Sequence, residues 1–160
     1  MEFSTPDLSD AFPEVKALLP IMKNYGGKSS FFGPIQTLKC PDDNSLIKEQ
    51  LNSEGNNQVL IVDAEGVNTV ALLGDLIADA GMKNNWSGIV VNGYIRDVDI
   101  IKTLDIGVQA LGTYPIKSEK RGLGELGIEI CFGGLTFRPG QYIYADNNGL
   151  LLSEIELNSS

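Results

Sequence analysis

The chain of 160 residues contains no histidine. Histidine is the side chain that most often serves as a general base near neutral pH, and it is a common metal ligand. Its absence excludes Ser-His-Asp and Cys-His mechanisms as well as histidine-based zinc sites. Any catalysis therefore depends on carboxylates, Arg, Lys, Tyr, Cys, backbone N–H groups or a hard cation.

Cysteines and long apolar runs are also scarce. The two cysteines, Cys40 and Cys131, are predicted to be reduced and buried rather than to form a disulfide or a metal pair. The longest apolar runs, 59–62 and 88–91, have the length of strands and are too short to span a membrane. The first residues carry neither a basic region nor an apolar core, so we expect no signal peptide and a cytoplasmic location.

Basic residues are outnumbered, with 12 Lys and Arg against 21 Asp and Glu and a net charge of −9. This charge repels phosphate backbones and argues against direct binding of nucleic acid. An acidic surface is compatible with a basic protein partner, whose approach it can steer.

The order of apolar segments predicts one α/β domain over residues 1–160, ordered from about 3 to 155. Residues 59–63 and 88–92 are continuous apolar runs, as expected for strands buried on both faces. Helical patterns cluster before residue 105 and strand patterns follow it, which indicates a mixed sheet with a late antiparallel part.

Local signals give further expectations. Thr5 is predicted as a helix N-cap with Pro6 at the first helical position. Residues 67–73 are predicted to form a strand and 113–127 a mobile loop, and the tail 158–160 is expected to fray.

Three polar segments are assigned structural roles. Residues 26–30 lack the spacing of a phosphate-binding loop and indicate a plain turn. The pair Asp42-Asp43 is predicted to favour the start of a helix through the helix dipole rather than to bind metal. The basic patch of Lys117, Lys120 and Arg121 is predicted to be solvated surface.

Residues 74–99 are the segment with the most chemical potential. Gly74 and Asp75 begin a predicted helix, and the first-turn N–H groups of Leu76 and Ile77 would form a seat for a carboxylate or phosphate. Most helices also begin this way for folding reasons alone, so the helix start by itself does not establish a site.

Arg96 and Asp97 follow the next buried strand, and twenty residues separate them from Asp75. The Arg guanidinium suits a keto-carboxylate, and a lone Asp can hold Mg²⁺ with several waters. From the residues alone, a surface salt bridge or a side-chain N-cap by Asp97 is the favoured alternative. One helix and one returning strand separate the two segments, so both can meet at one end of a sheet.

Five segments together resemble the RraA-like family over residues 3 to 155, and they comprise residues 24–31, 74–77, 96–99, 132–137 and 144–149. The resemblance implies a compact αββα sandwich or barrel of the swivelling-domain type, assembled as a ring-shaped homotrimer. One branch of the family contains metal-dependent (class II) 4-hydroxy-4-methyl-2-oxoglutarate aldolases that also decarboxylate oxaloacetate. The other branch binds and inhibits RNase E.

The aldolase signature, an Asp, twenty residues and then Arg-Asp, is complete here. By resemblance, the N–H groups of 74–77 bind a keto-acid substrate and Arg96 contacts its carboxylate and keto oxygen. Asp97 ligates Mg²⁺ or Mn²⁺, and Asp75 orients a metal-bound water. The resemblance therefore reverses the preference for a structural role. We expect an aldolase, with regulation of RNase E as the alternative function.

One position departs from the family pattern. Asn92-Gly93 stands where many of the aldolases have Asp-Gly. This difference bears on the choice of substrate and on rate more than on metal binding.

Overall fold

A computed structural model describes residues 1–158; the end of the predicted frayed tail, Ser159-Ser160, lies outside the described residues. The helices are α1 (Thr5–Ala11), α2 (Ser45–Leu51), α3 (Asp75–Lys83) and α4 (Val98–Ile101). The strands are β1 (Lys16–Ala17), β2 (Lys23–Asn24), β3 (Phe31–Lys39), β4 (Val59–Asp63), β5 (Gly88–Ile95), β6 (Gly107–Thr113), β7 (Glu125–Leu126), β8 (Ile130–Phe132), β9 (Leu135–Phe137), β10 (Tyr142–Asp146) and β11 (Gly149–Ser153).

One large mixed sheet organises the chain, in the order β1-β11-β10-β3-β4-β5-β6-β2, with β7 added to β3. The four central strands β3 to β6 are parallel, whereas β10, β11 and the short strands pair antiparallel. The predicted α/β class with a mixed sheet is confirmed. Because parallel strands end at the same edge, the segments after β3, β4, β5 and β6 meet there.

The core lies on both faces of this sheet. Helices α2, α3 and α4 pack on one face over a cluster that includes Leu51, Ala78 and Ile101. The β8-β9 hairpin covers the other face through Phe132 and Phe137. All five residues of β4 are buried, as expected for a strand covered on both faces. Within residues 1–158, no helix has the length and apolar character needed to cross a bilayer.

Two local predictions are wrong. Ser4, not Thr5, caps α1, because the Ser4 Oγ accepts the N–H of Asp7 at 3.2 Å. Thr5 is buried and instead donates from its N–H and its hydroxyl to Asp146. Residues 67–73 form no strand, and within them only Ala71 makes isolated bridges, to Tyr94 on one side and to Lys117 on the other.

Two further predictions need correction. Residues 113–127 are not a free loop, because they bridge to Ala71 and Asp43 and contribute β7 to the sheet. Of the two free thiols, Cys131 is exposed and only Cys40 is buried. Burial, together with the nearby carboxylates of Asp43 and Asp63, raises the pKa of the Cys40 thiol to about 12, so this thiol stays protonated and unreactive.

Candidate active site

A cavity of 190 Å³ opens at the carboxyl edge of the parallel strands. Each of the four central strands supplies part of its wall through the segment that follows it. The lining residues are Asn44 and Lys48 after β3, Ala71 and Gly74 to Ile77 after β4, Arg96 and Asp97 after β5, and Lys117 and Lys120 after β6. The helix start and the Arg-Asp pair therefore meet in space, as their spacing predicts.

Gly74 allows the start of α3 to approach Asp97 closely. The N–H of Asp75 donates to the Asp97 Oδ2 at 3.1 Å. A Cβ atom on residue 74 would lie 2.7 Å from that oxygen, which is closer than real Cβ contacts. Glycine therefore matters at this position because it has no side chain. Its backbone conformation does not require glycine, since a φ of −127° is extended and open to any residue.

The first turn of α3 supplies backbone donors to the cavity. Helix N-termini carry N–H groups without helical partners and a positive end of the helix dipole. The N–H of Leu76 contacts the Asp75 Oδ1 at 3.0 Å, so that carboxylate folds over its own helix start. The N–H of Arg96 donates to Leu73 O at 2.9 Å, which ties the end of β5 to the segment leading into α3.

The Arg96 guanidinium is held at the cavity wall. Its Nη1 donates to Pro115 O at 3.3 Å, and its Nε lies 4.0 Å from the Asp97 Oδ2. The Arg96 side chain is 39% exposed, which leaves a charged donor accessible to a carboxylate in the cavity.

Asp97 is the strained residue of the site. Its φ of 58° and ψ of 34° place it in the left-handed region, which non-glycine residues adopt infrequently. Its side chain makes no capping bond to α4, although its carbonyl accepts the N–H groups of Ile100 and Ile101. Asp97 is therefore the N-cap residue of α4, as the sequence suggests, but without a capping bond from its side chain. The carboxylate turns toward Gly74 and the cavity instead.

The carboxylates present fit a hard cation rather than a fully protein-bound metal. Within residues 1–158, no group of three or more His, Cys, Asp or Glu side chains is placed to hold a metal. Asp97 and Asp75 line the same cavity and offer only oxygen ligands. Mg²⁺ is commonly held by one or two carboxylates with waters in the other positions. This donor set suits Mg²⁺ or Mn²⁺, and assignment of a metal to Asp97 stays a prediction.

Sequence reasoning missed four polar residues of the cavity wall. Lys117 and Lys120 are exposed, as predicted for solvated surface, and both also line the cavity together with Lys48. Asn44 is only 6% exposed, and its Oδ1 has no partner among residues 1–158. The available signal was the clustering of lysines after β6, in a chain where basic residues are scarce.

Asn92 lies outside this wall and has a structural partner. Its Nδ2 donates to the Oδ1 of the buried Asp63 at 2.9 Å. An Asp at position 92 would place a second carboxylate against Asp63, so asparagine suits this pair. The departure from the family pattern therefore leaves the lining residues of the cavity unchanged.

Comparisons with known proteins match nearly the whole chain. The family model for RraA-like proteins, described as Aldolase/RraA, matches residues 5–152. A protein of Azotobacter vinelandii named "Putative 4-hydroxy-4-methyl-2-oxoglutarate aldolase" is 53% identical over 154 residues, which cover 96% of this chain and 95% of the relative.

Two solved structures share the fold at comparable length. The RNA-processing inhibitor RraA of Thermus thermophilus superposes with a TM-score of 0.95 at 39% identity, covering 99% of this chain and 97% of that one. A Geobacillus kaustophilus protein described as an S-adenosylmethionine:2-dimethylmenaquinone methyltransferase superposes with a TM-score of 0.95 at 38% identity, covering 99% and 100%.

Proposed function

The chain belongs to the RraA-like family, and from this premise we propose that it is a carbon–carbon lyase that cleaves 4-hydroxy-4-methyl-2-oxoglutarate to pyruvate. We further propose that it is metal-dependent, as class II aldolases are, and that it decarboxylates oxaloacetate as a secondary activity. The observation that carries the proposal is the meeting of Arg96, Asp97 and the start of α3 in one cavity.

The charges of the cavity suit a keto acid with two carboxylates. Arg96 offers donors to the carboxylate and keto oxygen of the pyruvoyl half, and the positive end of the α3 dipole lies in the same cavity, where the N–H groups of Asp75 and Leu76 already bind the carboxylates of Asp97 and Asp75. Lys48, Lys117 and Lys120 lie on the same wall and offer positive charge to the second carboxylate. The protein as a whole carries a charge of −9, so this concentration of cations is local.

The proposed cleavage removes the proton of the C4 hydroxyl and breaks the C3–C4 bond. A carbonyl forms at C4, and the electron pair passes through C3 and C2 onto the keto oxygen. In this proposal Arg96 and the positive end of the α3 dipole stabilise that negative charge, and electrostatic stabilisation of this kind is the largest contribution to catalysis in many enzymes. Return of a proton to C3 yields the second pyruvate. Asp75 lines the cavity and is the candidate to accept a proton from a water molecule and to return it.

Asp97 is the residue proposed to hold Mg²⁺ or Mn²⁺, with Asp75 beside it. When bound, such a cation would supply a Lewis acid for the keto oxygen, a contribution on the order of several kcal/mol. Decarboxylation of oxaloacetate also places negative charge on a keto oxygen. The same residues therefore suit both reactions.

The test is pyruvate release from 4-hydroxy-4-methyl-2-oxoglutarate and from oxaloacetate, with Mg²⁺, with a chelator, and with Asp97→Ala. We expect turnover that the chelator abolishes and that Asp97→Ala lowers by at least about 100-fold, since loss of several kcal/mol corresponds to that factor.

Asp99→Ala is the matched control. Asp99 lies two residues further on, its side chain is 94% exposed, and it pairs only with Lys102 at 3.5 Å. It should leave turnover within about twofold, because exposed pairs contribute little. Absence of turnover with every divalent metal in the wild type would contradict the lyase proposal.

A second candidate function is regulation of RNase E. The observation that favours it is the similarity to the Thermus RNA-processing inhibitor over nearly the whole chain. The acidic surface would face an Arg-rich partner segment, whereas the lyase site lies in a cavity. The two functions therefore do not exclude each other. For either function we propose the homotrimer that the family resemblance implies, and exposed apolar side chains such as Ile100 and Ile116 are available to an interface between subunits.

A further inference from the structure

The segment 117–123, here called the lysine strap, forms one wall of the cavity through Lys117 and Lys120. Its two ends are tied to neighbouring elements. The N–H of Ser118 donates to Ala71 O at 3.2 Å, and after the strap the N–H of Gly127 donates to Thr37 O at 2.8 Å. The middle of the strap depends on a different set of contacts.

Those contacts converge on Asp43, which is only 1% exposed. Its Oδ2 accepts the N–H of Arg121 at 2.7 Å and that of Leu123 at 3.2 Å. Its Oδ1 accepts the N–H and the hydroxyl of Ser45, and the Ser45 Oγ accepts the N–H of Gly122 at 3.0 Å. One buried carboxylate therefore joins the strap to the start of α2.

Burial of Asp43 by itself would raise the pKa of this carboxyl, but the hydrogen bonds from Ser45, Arg121 and Leu123 outweigh burial and lower the pKa to about 2. Asp43 is thus ionised at neutral pH, and its full charge is available to the strap. Hydrogen bonds to a charged group are about twice as strong as neutral ones.

Asp43 does not line the cavity, but two residues next to its hydrogen-bonding network do. Asn44, the next residue, and Lys120, which precedes Arg121, both lie on the cavity wall. We propose that Asp43 is a positioning residue that fixes Lys120 against the cavity and thereby sets the affinity for the second carboxylate of the substrate. This inference rests on the proposed lyase function for its substrate class.

Asp43→Asn tests the inference with a minimal change of shape. The Asn side chain has one acceptor oxygen and one NH₂ group, which only donates. It therefore cannot accept hydrogen bonds both from Ser45 and from the strap, as the two carboxylate oxygens of Asp43 do. The NH₂ group of the new amide would be buried and would face another donor, and we expect the free-energy cost of this unsatisfied contact to release the strap. We expect KM for 4-hydroxy-4-methyl-2-oxoglutarate to rise by about tenfold while kcat changes less than about threefold, the pattern of lost uniform binding.

Exchange of the methyl protons of pyruvate with D₂O provides the second readout. Pyruvate has one carboxylate, so its exchange reports on Arg96 and Asp97 without the strap. We expect the exchange rate of Asp43→Asn to equal that of the wild type. A general structural defect would lower exchange and cleavage together, which would overturn the positioning role.

Asp42→Asn is the matched control, because it makes the same chemical change one residue earlier. Asp42 is half-exposed and binds only the Arg121 side chain, at 2.6 Å. It should leave KM within about twofold. Lys120→Ala should reproduce the rise in KM seen with Asp43→Asn, without altering the fold of α2.

Binding of 2-oxoglutarate by calorimetry separates this inference from the lyase proposal. This keto acid has two carboxylates and no 4-hydroxyl, so it binds without retro-aldol cleavage. Asp43→Asn should bind it about tenfold more weakly than the wild type, with pyruvate binding unchanged. Equal affinity would overturn the inference even in an active enzyme. A wild type that binds but neither cleaves nor exchanges would contradict the lyase proposal alone.

Discussion

Asp97 shows how a single residue can be committed to a site at the expense of local structure. Its left-handed backbone costs roughly 1–3 kcal/mol in a non-glycine residue. Its side chain also forgoes the capping bond available at the start of α4. What it gains is a carboxylate held by the N–H of Asp75 beside Arg96. Four other non-glycine residues outside the cavity lining also have positive φ, namely Asn56, Asn57, Glu65 and Asn85, so the contacts of Asp97 with Asp75 and Arg96 distinguish it more than its backbone does.

Two of the buried carboxylates, Asp43 and Asp146, give a pH prediction at the residue scale. Hydrogen bonds outweigh burial in both, so the pKa of Asp43 falls to about 2 and that of Asp146 falls below its usual value. Because the folded pKa is lower than the unfolded one, the stabilisation is complete above about pH 4 and is lost as the pH falls toward 2.

Urea unfolding of the wild type and Asp43→Asn between pH 6 and pH 2.5 measures this linkage. We expect Asp43→Asn to reduce the free energy of unfolding by about 1–2 kcal/mol at pH 6. The difference should shrink as the wild-type carboxyl is protonated. A gap between the two proteins that stays constant with pH would contradict the assignment of the shift to Asp43.

At the scale of elements, the site depends on the junction between β5 and α3. The N–H of Arg96 binds Leu73 O, and the N–H of Asp75 binds the Asp97 side chain, so the end of the strand and the start of the helix fix each other. Gly74 is the residue that makes this approach possible, because any Cβ there would meet the Asp97 Oδ2.

Gly74→Ala should therefore damage function more than stability. The backbone of residue 74 is extended, so alanine is allowed there, and the clash falls on the Asp97 carboxylate at 2.7 Å. We expect the unfolding free energy to change by less than about 1 kcal/mol, as for substitutions that avoid core packing. The Mg²⁺ concentration for half-maximal turnover should rise by at least about tenfold.

Gly81→Ala on the same helix is the control for this prediction. A Cβ on residue 81 would lie 3.2 Å from a flexible end of Leu51 and far from the cavity, so the metal dependence should stay at the wild-type value. Unchanged metal dependence in Gly74→Ala would show that Asp97 does not hold the cation.

At the scale of the whole molecule, the charge of −9 and the cationic cavity assign the two proposed functions to different parts of the protein. A basic partner would meet the acidic exterior, whereas a keto acid would enter the cavity. Contacts between exposed charges weaken as salt rises, with a screening length of about 8 Å at physiological ionic strength.

A pull-down with RNase E tests whether the acidic exterior binds this partner. If the protein is a regulator, we expect retention at moderate salt that falls as salt is raised, and the same retention for Asp97→Ala, whose change lies inside the cavity. Absence of retention at moderate salt would contradict the regulator function and leave the lyase function unaffected.

The sequence by itself determined the α/β class, the buried strands and the spacing of Asp75 from Arg96-Asp97. These features are local, since each depends on an apolar run or on the length of one helix and one strand. The same local logic was wrong for residues 67–73, where an apolar pattern gives no strand and only isolated bridges at Ala71, since both sides of β4 are already paired with β3 and β5.

Only the tertiary structure decided what surrounds the Arg-Asp pair. Asn44, Lys48, Lys117 and Lys120 reach the cavity because β3 to β6 are adjacent and parallel, so the segments that follow them share one edge. Strand order is set by long-range packing, which no spacing in the sequence encodes. Asp43, next to the start of α2, binds the N–H groups of Arg121 and Leu123, which lie 78 and 80 positions later in the chain. Its proposed role therefore also depends on long-range packing.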